Sequence, residues 1–89
     1  MTEVHIARTG LARAVARFPE AASTLRRLAL NDPAFREICE EYALAQQSLA
    51  GFEARPDAAG RPEIGEYRTI ISELESEIDQ LVKAVGPEG

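Results

Sequence analysis

Two apolar series, each stepping alternately by three and four residues, flank one short loop. Phe35, Ile38, Tyr42, Ala45, Leu49 and Phe52 form the first, and Ile64, Tyr67, Ile71, Leu74, Ile78, Leu81 and Val85 form the second. This is the a/d spacing of helices that bury a narrow seam against one another. Between them lies Arg55-Pro56-Asp57-Ala58-Ala59-Gly60-Arg61, where proline and glycine mark a turn. A short connection makes consecutive helices antiparallel neighbours. Folding the chain about residue 58 sets Phe52 by Ile64, Leu49 by Tyr67, Ala45 by Ile71, Tyr42 by Leu74 and Ile38 by Ile78. Each seam residue then meets an apolar partner, with small Ala45 opposite bulky Ile71. The spacing predicts an all-α chain built on an antiparallel, coiled-coil-like two-helix hairpin. No stretch alternates apolar and polar residues as a half-buried strand would.

The helix ends are written in local chemistry. Asp32 is placed to cap a helix over 33–54, with Pro33 in its first turn and Glu37 near its positive end. Gly51 weakens that helix by about 1 kcal/mol relative to alanine. Pro62 opens a helix over 62–85, roughly 36 Å long, with Lys83 in its last turn and Gly86-Pro87 as its stop. Upstream, Phe18-Pro19-Glu20 reads as a break and a helix start. A helix over 19–30 follows, carrying Leu25 and Leu28 and widened by Ala21, Ala22 and Ala29. Asn31-Asp32-Pro33 ends it, because the residue before proline avoids helical geometry. Residues 18–89 therefore read as a single helical domain. Residues 1–17 read as a basic leader, either partly disordered or a short helix, with Val4, Leu11, Val15 and Phe18 on one face and Gly10 weighing against helix.

The hairpin has more apolar surface than one seam uses. Ile70 and Val82 flank the seam of the last helix, and Cys39 flanks that of the middle one. A stripe this wide belongs to a helix with more than one neighbour. The neighbour is either the 19–30 helix or another copy of the chain. A chain of 89 residues buries roughly 64% of its unfolded surface, a marginal core that invites help from outside. We therefore expect a homo-oligomer, a dimer first, with Leu25, Leu28, Ile70 and Val82 as the candidate interaction surface.

Charge divides the chain. Residues 1–31 sum to +3 and residues 32–89 to -8, within an overall -5. The acidic whole argues against a dedicated nucleic-acid binder, and so makes nucleic acid an unfavoured partner. The basic leader keeps one alternative alive, a regulator touching nucleic acid or anionic membrane through Arg13, Arg17, Arg26 and Arg27. The competing reading is a basic face that pairs with the chain's own acidic hairpin. No apolar run is long enough to cross a membrane, and no export signal is recognisable at the N-terminus. Cys39 is the only cysteine, which excludes an internal disulfide and fits a reducing, cytoplasmic setting. Nine arginines to one lysine, with abundant alanine, have the look of GC-rich bacterial coding.

Phe18-Pro19-Glu20, Leu28, Asp32-Pro33-Ala34-Phe35, Ile38, Tyr42 and Leu49 together resemble the YdcH-like family of small bacterial proteins. In that family a Phe-Pro-Glu start and an (Asn/Asp)-Pro-x-Phe turn precede a long helix, a short loop and a second long helix. Glu77-Ile78 is similar to the family's Glu-Ile near the end of its last helix. The resemblance covers about residues 18–85. It implies a helical hairpin with no established biochemical activity. The chain departs from the family in two respects. Its last helix is acidic (Glu66, Glu73, Glu75, Glu77, Asp79) where the family's is rich in lysine, and its first 17 residues extend beyond the usual start.

Reactive constellations are sparse. Glu73 and Glu77 share a helix face, as do Glu75 and Asp79, but they fall between seam positions and lack a nearby histidine, so a solvated face is expected rather than a metal site. Glu37, Glu40 and Glu41 read the same way. His5, alone in the leader, has no visible catalytic partner. Cys39 beside the seam reads as a small buried side chain; the competing reading is a thiol that pairs two chains or senses oxidation. Phe35, Tyr42, Phe52 and Tyr67 sit at heptad spacing and read as core. Glycine-rich phosphate loops, Gly-x-Ser-x-Gly elbows and paired cysteine motifs are lacking from the sequence. No catalytic, cofactor or metal residue is assigned, and the function expected is that of a small non-enzymatic helical interaction module.

Overall fold

The computed structural model describes residues 2–85, with side chains from Thr9 onward. Among these residues the chain is all-α. Helix α1 spans Thr2–Arg17, α2 spans Ala22–Asn31, α3 spans Pro33–Glu53 and α4 spans Pro62–Val85. Short 3-10 turns at Pro19–Ala21 and Ala58–Gly60 link α1 to α2 and α3 to α4. Helix α3 is the spine. It packs against α1 and α4 along its length, and α2 touches all three.

The α2–α3 corner shows how local sequence fixes the path. The Asp32 carboxylate accepts hydrogen bonds from the backbone N–H groups of Ala34 (3.0 Å) and Phe35 (3.4 Å), capping α3. The Asp32 N–H donates to the Leu28 carbonyl at 2.8 Å, and Arg36 donates to the Ala29 carbonyl at 2.6 Å. One residue thus ends α2 and starts α3, and an arginine from the new helix satisfies a carbonyl left open by the old one.

Helices α3 and α4 make contacts that move back along one helix as they move forward along the other. The Phe52 and Tyr67 rings stack with centroids 5.8 Å apart, and the Tyr42 hydroxyl donates to Glu75 at 2.7 Å. Near the loop Arg68 donates to Glu53 at 2.9 Å. Phe52 thus stacks on Tyr67, one turn beyond the Ile64 that folding about residue 58 places beside it. Burial along the seam is uneven. Phe35, Tyr42, Ala45, Leu74 and Ile78 are buried, whereas Ile38, Leu49, Phe52, Ile64, Tyr67, Ile71 and Leu81 are half-buried.

The leader changes the picture most. Residues 2–17 form a helix docked on α3. Gly10 is buried in it, so close to α3 that a Cβ at this position would lie 2.2 Å from the Cys39 carbonyl oxygen. Ala14, one turn on, is fully buried. The glycine that reads locally as a helix weakener is therefore the point where two backbones meet. The flank of α3 marked by Cys39 is covered from within the chain by α1, a neighbour the width of the apolar stripe did not name. Val4 and His5 lie outside the residues whose side chains are described, and Gly86 and Pro87 lie outside the described residues. Among the described residues no helix is long and apolar enough to cross a membrane.

Candidate interaction surface

The four residues expected to form the interaction surface separate. Leu25 is fully buried in the core between α2 and its neighbours. It cannot meet a partner, because α1, α3 and α4 close around α2 and take up its apolar face. Leu28 and Val82 are half-buried and packed against the same core. Ile70 alone stands exposed, at 42% of its surface. Two exposed leucines join it that seam periodicity passed over, Leu44 at 48% and Leu30 at 79%. The signal that could have found them is negative: they are large apolar residues that fall off every heptad.

Ile70 borders a groove of about 500 Å³ between α4 and the edge of α3. Ile70, Glu73, Leu74 and Glu77 line it from one face of α4, and Glu41 from α3. Two apolar side chains thus stand among three carboxylates. Leu44 follows Glu41 by one helical turn. Ser72, Ser76 and Gln80 continue the lining on the outer side of α4.

The candidate basic patch is divided. Arg13 donates to the Gln46 side chain at 2.8 Å, and Arg17 pairs with Glu75 at 3.3 Å. The Arg17 guanidinium also lies 4.8 Å from the centre of the Phe18 ring. Both arginines thus reach across to α3 and α4. Arg26 and Arg27 stay on the exposed face of α2, where Arg27 makes contacts of its own.

At the junction of α1, α3 and α4, Tyr42, Glu75 and Arg17 form a polar knot in a shallow cleft of about 360 Å³. Burial pushes the Tyr42 phenol well above its ordinary range, and its hydrogen bond to Glu75 adds to the effect. The phenol keeps its proton and acts as a donor, so the knot ties helices together and offers no base. Cys39 is 1% exposed, and its thiol is pushed up to about 11, chiefly by burial and then by the Glu40 charge. A thiol held protonated and covered is a poor nucleophile and a poor redox sensor. In the α3–α4 loop, Asp57 sits between Arg55 (3.0 Å) and Arg61 (3.2 Å), and the hydrogen bond from Arg55 leads in holding its carboxyl below the usual range. The described residues include no cluster of three His, Cys, Asp or Glu side chains arranged to hold a metal ion.

No known family model, curated protein or solved structure matches the chain. The site is therefore read from its own residues.

Proposed function

We propose that the chain is a small non-enzymatic helical interaction module. Its α3–α4 pair acts as a coiled-coil-like antiparallel hairpin, as the heptads and the resemblance to YdcH-like proteins lead one to expect, and the setting is cytoplasmic. The module self-associates, a dimer being the simplest state, or takes a partner helix by groove packing. One observation carries the reading: Ile70 and Leu44 stand exposed among the described residues, Ile70 beside a groove that it lines together with Leu74 and three glutamates, although the described residues include four helices with which to cover them. The elongated outline supports it. The radius of gyration is 14.1 Å, against roughly 12 Å for a compact chain of this length, so much helix flank stays at the surface.

Sedimentation equilibrium tests the reading. The expected result is a mass above that of one chain at micromolar to millimolar concentration, lowered by Ile70→Glu with Leu44→Glu. Both side chains are exposed, so circular dichroism should be unchanged. Mass unaffected by the double substitution overturns this surface, and a monomer at every concentration overturns self-association.

A further inference from the structure

Helix α1 is held on α3 differently from its neighbours. Among its described side chains only Gly10 and Ala14 are buried, and neither carries more than a methyl group. Leu11 and Val15 are half-buried beside them. Helix α4 by contrast buries Leu74 and Ile78, and α2 buries Leu25. Apolar stabilisation scales with area removed from water, so the described part of α1 has the least to lose on leaving. Its polar ties, Arg13 to Gln46 and Arg17 to Glu75, are partly open to solvent and correspondingly weak. Ties among the other three helices do without α1. Asp32 caps α3, Arg36 closes the end of α2, Tyr42 bonds to Glu75, Phe52 stacks on Tyr67 and Arg68 meets Glu53. Beneath Gly10 lies the Cys39 backbone, and Ala43 lies one turn beyond Cys39 on the way to Gln46. Cys39 and Ala43 are each 1% exposed.

We infer that α1 is a strap: it lifts as a unit from an intact α2–α4 body and uncovers the Cys39–Ala43 flank of α3, at a smaller cost than unfolding the chain. Segments with few buried apolar contacts open sub-globally in this way. The hinge is Phe18 with the 3-10 turn Pro19–Ala21 behind it, where a few dihedral angles absorb the motion. Lifting parts Arg17 from Glu75 but leaves Tyr42 bonded to Glu75, so the contact of α3 with α4 survives. The strap thus controls access to a second face of α3. Cys39 is the built-in reporter of the motion, its thiol reached by a reagent only when the strap is up. The inference concerns a single chain and does not depend on the interaction-module reading.

The test is the rate at which a thiol reagent labels Cys39 in the full-length chain across low urea, relative to the same chain unfolded. A second chain, Cys39→Ala with Ala45→Cys, moves the reporter to the heptad seam, where Ala45 is buried. Below the unfolding transition Cys39 is expected to label at least about tenfold faster than the seam reporter. Its rate is expected to depend only shallowly on urea, because little surface is exposed when α1 alone leaves. The seam reporter is expected to follow the full urea slope of unfolding. Phe52→Ala, at the loop end of α3, is expected to speed the seam reporter and leave Cys39 unchanged, since the body is folded with the strap up or down. Gly10→Val is expected to speed Cys39 by roughly tenfold or more, because overpacking against the Cys39 backbone penalises the docked strap alone. The seam reporter is expected to stay protected in that variant. Cys39 labelling that matches the seam reporter in rate and urea slope, or rises with it under Phe52→Ala, overturns the strap. Labelling unmoved by Gly10→Val overturns it too, since another helix then uncovers the thiol. If the seam reporter loses protection under Gly10→Val, α1 is part of the body and the strap is likewise overturned.

Discussion

Gly10→Ala separates what local propensity expects from what the packing dictates. In the interior of a helix, glycine costs about 1 kcal/mol relative to alanine, so propensity alone makes the substitution stabilising. The structure reverses the sign. A Cβ on Gly10 would lie 2.2 Å from the Cys39 carbonyl oxygen and 2.5 Å from its carbon, distances that real Cβ atoms essentially never show below 3.0 Å. Both obstructing atoms are backbone, held in α3, so no rotamer change relieves the contact. Helix α1 must withdraw by at least 0.8 Å, the gap between 2.2 Å and 3.0 Å. A radial gap of about 0.5–1 Å forfeits a quarter to a half of each dispersion contact, and overpacking of this kind costs about 1–3 kcal/mol. After the propensity gain is subtracted, the balance runs from no gain to a net loss of about 2 kcal/mol. Gly51→Ala and Gly65→Ala are internal controls. Both sit in helices with nothing within 4 Å of the added methyl, so each should gain up to about 1 kcal/mol. Urea unfolding followed by circular dichroism measures all three. Should Gly10→Ala prove as stabilising as Gly51→Ala, α1 does not lie against α3 at Cys39, and the reading of the leader as a docked helix falls with it.

Three further outcomes follow from the same contacts. Tyr42→Phe removes the buried donor to Glu75, and a hydrogen bond to a charged acceptor of this kind is worth about 1.5–3 kcal/mol; a loss under half a kcal/mol in urea unfolding would show the knot to be incidental. Leu25→Ala should cost about 2–5 kcal/mol without changing the association of folded chains, because Leu25 lies inside the core; a small stability loss with altered association would return it to the surface. Cys39 links stability to alkaline pH: its folded value is raised, so its contribution is fully present below the unfolded value of 9.0 and is lost as pH rises from there through about 11. Slow reaction of the folded chain with a thiol reagent at pH 9, fast once urea unfolds it, checks the burial; equal rates would refute it.

The all-α chain and the contact of α3 with α4 were legible because their signal is local and repeated. Three- and four-residue spacings recur on both sides of the loop, and Asp32-Pro33 writes its own cap. The docking of α1 was not legible, because the value of Gly10 resides in a carbonyl 29 residues away in sequence. A glycine in isolation looks like a weakness, and only the facing backbone makes it a requirement. The same reason misplaced Leu25. Counting apolar residues on a helix tells how wide its buried stripe is, but the count cannot say whether the covering surface comes from the chain itself or from outside. For Leu25 and Cys39 it comes from inside. For Ile70 it does not, and the off-period Leu30 and Leu44 were hidden because a search for periodicity discards what falls between the beats.

The charge asymmetry takes on a different meaning once the arginines are placed. Three of the four arginines of the basic set have contacts within the chain, Arg13 on Gln46, Arg17 on Glu75 and Arg27 on α2. The Arg17 side chain is 53% exposed, and an exposed pair of this kind is worth under about 1 kcal/mol, too little to dock a helix. What holds α1 is close apolar packing through Gly10 and Ala14, and the arginines then select one rotational setting of α1 over others. Arg26 and Arg27 ride on α2 beside an exposed leucine. A basic face spent entirely inside the chain would leave the acidic groove without a complement on the molecule. A basic face free throughout would favour phosphate. The observed arrangement does neither: Arg13 and Arg17 reach from α1 to α3 and α4, and Arg27 keeps contacts of its own on α2.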